Sequence, residues 1–226
     1  MSKAAKDIQF VVNDKAGVVS GLLMNPPEAR ALLILAHGAG AGMRHRFLDQ
    51  AAVKLSAANV ATLRYQFPYM EKRIKRPDSE AVLKDTVRAA VAAAHKLVGD
   101  LPLFAGGKSM GGRMTSLAAA QEPLEGVRGL IFFGFPLHAA GRPGAERGAH
   151  LTDVRIPMLF LQGSRDALAD LKLLKPLCAK IGESAELMVV EGGDHSFHMS
   201  KSAKRSDEEV LDSVVEKTTA WIGKNG

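Results

Sequence analysis

The chain has 226 residues, of which 46% are hydrophobic and 24% charged, and a formal net charge of +6. These proportions are ordinary for a globular protein and exclude a disordered or fibrous chain, and the length suits one α/β domain spanning residues 1–226. The single cysteine, Cys178, excludes an intrachain disulfide and a cysteine-rich zinc site.

Short β-rich apolar runs alternate along the chain with longer segments of helical periodicity, which predicts an α/β fold with a mostly parallel sheet between helices. The candidate strands are IQFVV, VVSGLLM, ALLILAH, VATLRYQF, LPLFAGG, GLIFFGF, MLFLQG and ELMVVEG. The candidate helices span 46–58, 79–98, 110–121, 168–181 and 207–222. Only NDKAG separates the first two strands, which predicts an antiparallel hairpin. Residues 136–155 form the longest irregular stretch.

The stretch AGGKSMGG at 105–112 contains the Gly-Lys-Ser that ends a phosphate-binding loop. That loop also needs a glycine at the position that Pro102 occupies. The second glycine-rich stretch, HGAGAGMRH at 37–45, has Met43 or His45 where a dinucleotide fingerprint needs its third glycine. Both nucleotide-binding motifs are therefore excluded.

The same stretch fits a nucleophile elbow, Gly107-x-Ser109-x-Gly111. An elbow requires a strand, a sharp turn with small flanking residues and then a helix. LPLFA supplies the strand and MTSLAAAQ the helix. Ser109 is the predicted nucleophile, and Lys108 is expected to point away from it, over the sheet edge or into solvent.

A serine nucleophile needs a base within hydrogen-bond reach and a carboxylate that orients the base. In this architecture they follow in the order Ser, Asp, His, each after a later strand. Asp166 follows MLFLQG and His195 follows ELMVVEG. We therefore predict His195 as general base and acid and Asp166 as its orienting carboxylate. Three alternatives remain: that Asp166 is a simple helix cap, that Asp170 is the acid, or that His198 is the base.

The negative oxygen of a tetrahedral intermediate needs backbone N–H donors. We predict the Met110 N–H as one donor, because it begins the helix after Ser109. The second donor is expected from the glycine-rich loop after the third strand, with Ala39 as first choice and Gly40 as second. His37 is expected to orient this loop without exchanging a proton in the reaction.

These residues resemble the α/β-hydrolase superfamily, in particular its small dienelactone-hydrolase-like members. The likeness extends over nearly the whole chain through LILAHGAGAGM, LRYQFPYM, GGKSMGGR, LFLQGSRD and GGDHSFH. Within that set, HGAGAGM, FPYM and GGKSMGGRM look like a group of small bacterial hydrolases related to the testis-expressed and NSL-complex α/β-hydrolase-like proteins of animals. The best-known dienelactone hydrolase uses a cysteine nucleophile, so Ser109 implies a different reaction from lactone-ring hydrolysis.

The resemblance implies an eight-stranded, mostly parallel sheet with strand 2 antiparallel, and a hydrolase that needs no cofactor and no metal. Many relatives insert a lid after the sixth strand, but the segment between FFGFP and RIPMLFLQ is too short for one. An open site is expected, and the residues predicted to shape it or to contact the substrate are His37, Phe67, Pro68, Tyr69, Met70, Pro136, Leu137, His138, Phe197 and His198.

The sequence favours a serine hydrolase that cleaves a small ester or thioester through an acyl-enzyme on Ser109. Its activity should rise with pH as the His195 ring loses its proton. A peptidase or amidase on the same residues is an alternative, although no anchor for a substrate amine is visible. A non-catalytic interaction module is another, although such a module has no need of a nucleophile, a base and an oxyanion loop.

Basic residues gather at 44–46 and 72–76. Aromatic residues are only 5% of the chain and do not interleave with these runs, so nucleic acid is not expected as a partner. Solvated surface is the favoured interpretation, with attraction of an anionic substrate by Lys72, Arg73, Lys75 and Arg76 as the alternative.

Asp7 and Gln9 interrupt any secretory signal, and no apolar run reaches membrane-spanning length. We expect a cytoplasmic monomer or homodimer.

Overall fold

The structure is a computed structural model that describes residues 5–200 and 203–226. The N-terminal segment was predicted to lack an export signal, and its first four residues lie outside the described residues. The strands are β1 Lys6–Asn13, β2 Gly17–Met24, β3 Ala31–Ala36, β4 Val60–Tyr65, β5 Leu103–Lys108, β6 Val127–Phe133, β7 Met158–Gly163 and β8 Ala185–Val190. The helices are α1 Arg46–Ala57, α2 Pro68–Glu71, α3 Glu80–Val98, α4 Met110–Gln121, α5 Leu171–Ile181 and α6 Asp207–Asn225.

The eight strands form one sheet in the order β1-β2-β4-β3-β5-β6-β7-β8. β2 is antiparallel to both of its neighbours, and every pair from β4 to β8 is parallel. The predicted fold class is therefore confirmed. All residues of β3, β4, β5 and β7 are buried, as expected for parallel strands covered on both faces.

Two hydrophobic layers lie on the two faces of the sheet. Successive residues of a strand point to opposite faces, so Leu32 and Ile34 join one layer while Leu33 and Leu35 join the other. The first layer packs against α3, α4 and α5, and the second packs against α1 and α6. Because the strands from β3 to β8 are parallel, their carboxyl ends meet at one edge of the sheet, where ligand sites of such folds are found.

The connection between β6 and β7 contains no lid. Residues 134–157 hold one 3₁₀ segment, Glu146–Asp153, which packs against α4. Leu137 and Leu151 of this connection are fully buried, so it is anchored to the core. The sequence did not predict the 3₁₀ segment because its residues have no long amphipathic period.

Two further helices differ from the sequence analysis: α5 begins later than predicted, and α2 was not predicted. α5 begins at Leu171, not at 168, because Asp170 caps its first turn by accepting the Lys172 N–H. The short helix α2 lies in FPYM, where Pro68 occupies its first position. None of the helices within the described ranges is long and apolar enough to cross a membrane.

Candidate active site

Ser109 is the single residue between β5 and α4. Its backbone angles, φ 53° and ψ −121°, lie in a region that residues other than glycine seldom adopt. Such a conformation costs about 1–3 kcal/mol and persists only where the surrounding structure enforces it. Strain of this kind clusters at functional sites, and here it projects the Ser109 hydroxyl above the carboxyl end of the sheet.

Close packing enforces this turn. A Cβ added to Gly107 would lie 2.2 Å from the carbonyl oxygen of Ala36, and one added to Gly111 would lie 2.5 Å from the same atom. β3 and the start of α4 can therefore approach Ser109 only because both flanking positions lack a side chain. This is the physical reason for the Gly-x-Ser-x-Gly spacing.

The structure joins the three predicted side chains by hydrogen bonds. His195 Nε2 lies 2.8 Å from Ser109 Oγ, and His195 Nδ1 lies 2.7 Å from Asp166 Oδ2. A carboxylate can only accept, so Nδ1 carries the imidazole proton and Nε2 is left to accept the Ser109 hydroxyl. The Asp166 side chain is fully buried, whereas 24% of the His195 side chain is exposed. The arrangement can remove a proton from Ser109 beside a solvent-accessible cleft.

Two loops hold the base and its carboxylate together. The Arg165 N–H donates to the Gly193 carbonyl, and the Gly192 N–H donates to Ser164 Oγ. A Cβ at Gly163, the last residue of β7, would lie 2.4 Å from the Gly193 and Asp194 carbonyl oxygens. The loop after β8 therefore rests directly on the end of β7, which brings His195 to Asp166.

Gln162 is a buried residue of this network that the sequence analysis missed. Its Nε2 donates to Asp166 Oδ2, and its Oε1 accepts the Phe135 N–H. The Leu168 N–H donates to Asp166 Oδ1. The available signal was a polar residue near the end of the apolar strand MLFLQG, because a buried amide must find hydrogen-bond partners.

The rival residues have other partners. Asp170 caps α5, and its N–H donates to His138 Nε2. His198 is exposed and bonds through Nδ1 to Asp207 Oδ2 at the start of α6. Neither side chain is hydrogen-bonded to Ser109, His195 or Asp166, so the geometry favours the residues predicted over their rivals.

A second serine–histidine pair lies on the far side of α4. Ser116 Oγ is 2.7 Å from His150 Nε2, but Ser116 is fully buried. Burial, followed by the nearby Arg113 charge, lowers the pKa of His150 to about 4. This pair is inaccessible to a substrate and serves as an internal contrast to Ser109 and His195.

The loop after β3 faces Ser109. A Cβ at Gly38 would lie 3.6 Å from Ser109 Cβ, so the loop passes directly beside the nucleophile. The Gly40 N–H donates to the Tyr69 hydroxyl at 3.0 Å, which corrects its prediction as an oxyanion donor because this N–H already has an acceptor. Among the described residues, the N–H groups of Ala39 and Met110 donate no hydrogen bond. Of the three predicted oxyanion donors, these two have no other acceptor.

His37 is buried beneath this loop. Its Nδ1–H donates to the Gly38 carbonyl at 2.7 Å, and its Nε2 accepts the Phe67 N–H at 3.1 Å. Burial lowers the pKa of His37 to about 4, so the ring is neutral at physiological pH. A neutral ring with both nitrogens engaged orients the loop and has no free nitrogen for a substrate.

A cleft of about 330 Å³ opens beside Ser109. It is lined by Gly38, Ala39, Ala41, His45, Leu48, Lys108, Ser109, Leu168, His195 and Ser196. Larger cavities of about 630 and 690 Å³ lie at the opposite, amino end of the strands, away from every predicted site residue. The cleft at Ser109 is small and mostly walled by small or apolar side chains, which suits a small substrate.

The predicted substrate-contacting residues do not line this cleft, which corrects that part of the sequence analysis. Most of them are buried in the protein interior: His37, Phe67, Tyr69, Pro136, Leu137, His138 and Phe197. Met70 is half-buried, and His198 is exposed but bonded to α6. Phe67 and Tyr69 point into the core because FPYM folds into α2 and packs its aromatic rings around His37. The basic residues 72–76 are exposed and also lie outside the cleft lining.

Lys108 was predicted to lie away from the site, but the structure places it beside the cleft. Only 6% of it is exposed, and it lines the cleft. Its ammonium donates to the backbone oxygen of His195 and lies 5.6 Å from the centre of the Phe197 ring. The expectation that Lys108 reaches solvent or the sheet edge is therefore wrong.

Burial of this ammonium makes folding stability depend on pH. The pKa of Lys108 is lowered from 10.5 to about 8, chiefly because burial removes water from the charge. Between these two values the unfolded chain binds more protons than the folded chain, so the free energy of unfolding rises with pH. Below about pH 8 the folded state carries the full penalty, up to about 3 kcal/mol.

We expect Lys108→Met to abolish this contribution. The difference in unfolding free energy between the variant and the wild type, measured by urea titration, should shrink as pH increases from 8 to 10.5. Lys96→Met is the matched control, because Lys96 is exposed on α3. A Lys108→Met curve parallel to the wild-type curve would contradict the expectation.

Comparisons with known proteins agree with this architecture. A family model described as an alpha/beta hydrolase domain matches residues 29–223. A dienelactone hydrolase from Anabaena variabilis has a TM-score of 0.76 at 19% identity, with 99% of both chains covered. An α/β serine hydrolase without a lid from Xanthomonas campestris has a TM-score of 0.73 at 19% identity, with 98% of this chain and 96% of that chain covered. At such identities the likeness to these two structures concerns the fold.

Two curated relatives from Mycobacterium tuberculosis strains are named as candidate phosphoribosyl transferases. Each is 29% identical over 186 residues, which is 79% of this chain. The match covers 39% of their length, so this chain spans about two fifths of the curated relatives it matches.

Proposed function

The chain belongs to the alpha/beta hydrolase domain family, and from that premise we propose that it is a serine hydrolase that cleaves a small ester or thioester. The observation that carries the proposal is the chain of hydrogen bonds from Ser109 Oγ through His195 to Asp166, beside a small cleft. The transferase activity named in the mycobacterial relatives is not carried over, because most of their length has no counterpart in this chain.

The reaction begins with attack by Ser109 Oγ on the substrate carbonyl carbon, while the hydroxyl proton passes to His195 Nε2. The imidazole becomes an imidazolium, which the buried Asp166 carboxylate stabilises through Nδ1. The carbonyl oxygen becomes an oxyanion that the N–H groups of Met110 and Ala39 receive. Each such donor typically contributes about 2.7–4 kcal/mol to stabilisation of the transition state.

Collapse of the tetrahedral intermediate breaks the bond to the leaving group. His195 returns its proton to the leaving alcohol or thiol, and an acyl ester remains on Ser109. Water then takes the place of the leaving group, with His195 as base, and the acid product departs as Ser109 regains its proton. The exposed part of His195 gives water a path to this base.

The size of the cleft supports a small acyl or alcohol group. Its volume of about 330 Å³ is near the lower end of ligand pockets, and Leu48 and Leu168 contribute apolar walls. No carboxylate that could pair with a peptide amine lies among the residues that line it, which favours the ester over the amide.

We expect short-chain p-nitrophenyl esters and the matching thioesters to be hydrolysed at least about 100-fold faster than aminoacyl p-nitroanilides. Alcohols and thiols leave more readily than amines, and the cleft offers nothing that compensates by gripping the amine. Steady-state rates on a matched acyl series measure this preference. Labelling with a fluorophosphonate probe, with the adduct mapped to Ser109, checks the nucleophile without a substrate. A protein that neither turns over these compounds nor labels would instead favour the interaction module.

A further inference from the structure

Lys108 is a buried cation that the reaction scheme does not use. It is the residue immediately before Ser109, and it shares a face of β5 with Phe104, toward the layer packed on α1 and α6. Its ammonium crosses to the loop after β8, where it donates to the His195 carbonyl and lies over the Phe197 ring. Lys108 thus connects the strand that carries the nucleophile directly to the loop that carries the base.

No ion pair accounts for this charge. Within residues 5–200 and 203–226, no carboxylate lies within 4 Å of the Lys108 ammonium. The nearest acidic groups, Asp166 and Asp194, act on it only at longer range. Both are already engaged, since Asp166 accepts from His195, and Asp194 Oδ1 accepts the N–H groups of Ser196 and His198. A buried cation without a paired carboxylate destabilises the fold, so its retention needs another explanation.

The ammonium lies close to the imidazole. Gly134, at φ +70°, marks the place: a Cβ there would lie 2.9 Å from Lys108 Nζ and 3.4 Å from His195 Nδ1. The same point is 3.0 Å from the His195 carbonyl oxygen. Lys108 Nζ and His195 Nδ1 therefore both lie beside Gly134, whereas the Nε2 of the ring lies beside Ser109.

The loop that Lys108 holds has little regular structure of its own. Residues 191–206 connect β8 to α6 without a helix or strand among those described. Phe197 adopts φ +65°, which a side chain of its size rarely does. A loop with a strained residue two positions from the base needs external contacts to keep the imidazole in one place, and Lys108 supplies one to the His195 peptide itself.

We propose that Lys108 is a positioning residue for His195, whose ammonium fixes the His195 backbone so that the imidazole stays within reach of the Ser109 proton. This role rests on the proposed hydrolase function. The titratable or charged groups around Lys108 are Asp166, Asp194 and His195.

The charge and the hydrogen bond can be separated by two variants. Lys108→Met removes both, and Lys108→Gln removes the charge while keeping an N–H donor. Lys96→Met removes an exposed cation on α3 and is the control. The chemical shifts of the His195 ring, followed by NMR and assigned with His195→Gln, report its position and do not require a substrate. We expect them to change in Lys108→Met, to return toward the wild-type values in Lys108→Gln, and to stay at the wild-type values in Lys96→Met.

Kinetics provide the second readout. For a short p-nitrophenyl ester, kcat/KM of Lys108→Met at pH 7 should fall about 10-fold to 100-fold, mostly through kcat. Lys108→Gln should recover part of the rate, because its side chain keeps an N–H donor. Unchanged His195 ring signals in Lys108→Met, or a rate loss that follows a lower melting temperature, would overturn the inference. A wild type without esterase activity or Ser109 labelling would refute the proposed function instead, while the NMR signals would still decide the role of Lys108.

Discussion

Ser109→Ala is expected to lower kcat/KM for a short p-nitrophenyl ester by about 10⁴-fold or more. The substitution removes the only oxygen within hydrogen-bond reach of His195 Nε2 among the described residues, so the base has no nucleophile to activate. The proposed oxyanion donors remain, because they are backbone N–H groups of Met110 and Ala39. A small residual rate above that in buffer is therefore expected, together with complete loss of fluorophosphonate labelling.

Ser116→Ala is the matched control for this loss. Ser116 lies on α4, the helix that follows Ser109, and its Oγ is 2.7 Å from His150 Nε2. It is fully buried, however, and His150 has no hydrogen bond to a carboxylate among the described residues. Its removal should lower stability by about 1 kcal/mol, as expected for a lost hydrogen bond, and leave the ester rate within about twofold of wild type. Loss of activity in Ser116→Ala with retention in Ser109→Ala would refute the assignment of the nucleophile.

The sequence could predict the positions of Ser109, Asp166 and His195 because each directly follows a buried strand. Parallel strands present their carboxyl ends at one edge, so residues distant in sequence meet there without any knowledge of side-chain packing. The same logic located the glycine-rich loop after β3. These predictions depend on strand order and chain direction, which the pattern of apolar runs already encodes.

Side-chain direction inside the packed layers was not predictable in this way. The FPYM segment was expected to shape the cleft, but it forms α2, and Tyr69 turns inward to bind the Gly40 N–H. Gln162 was overlooked because its partners, Asp166 and the Phe135 N–H, come from two other segments of the chain. In both cases the deciding contact depends on how separate loops pack, which no local pattern specifies.

Lys108 illustrates the limit most clearly. The two-residue period of β5 assigns its side chain to the face that also carries Phe104. The sequence does not reveal that the loop containing Phe197 closes over that face and excludes water. A lysine at a strand end is therefore expected in solvent from sequence and is found buried in the structure.

Asp166 receives three hydrogen-bond donors, which its two oxygens accept together. Its Oδ2 accepts from His195 Nδ1 and from Gln162 Nε2, and its Oδ1 accepts the Leu168 N–H. An asparagine at this position keeps one acceptor oxygen and turns an NH₂ group toward one set of donors. If the NH₂ faces His195, Nδ1 must become the acceptor, and the proton moves to Nε2, where it blocks the approach of the Ser109 proton.

Asp166→Asn is therefore expected to lower kcat by about 10⁴-fold with little change in KM, because the side chain is buried and lies outside the cleft lining. Asp170→Asn is the control, since Asp170 caps α5 and asparagine is an equally good N-cap. It should retain the wild-type rate and melting temperature. If Asp170→Asn lost activity while Asp166→Asn kept it, Asp170 would be the carboxylate that orients the base. Measuring kcat above pH 9 adds a further check: hydroxide from solvent can replace the missing base, so the deficit of Asp166→Asn should narrow there while that of Ser109→Ala does not.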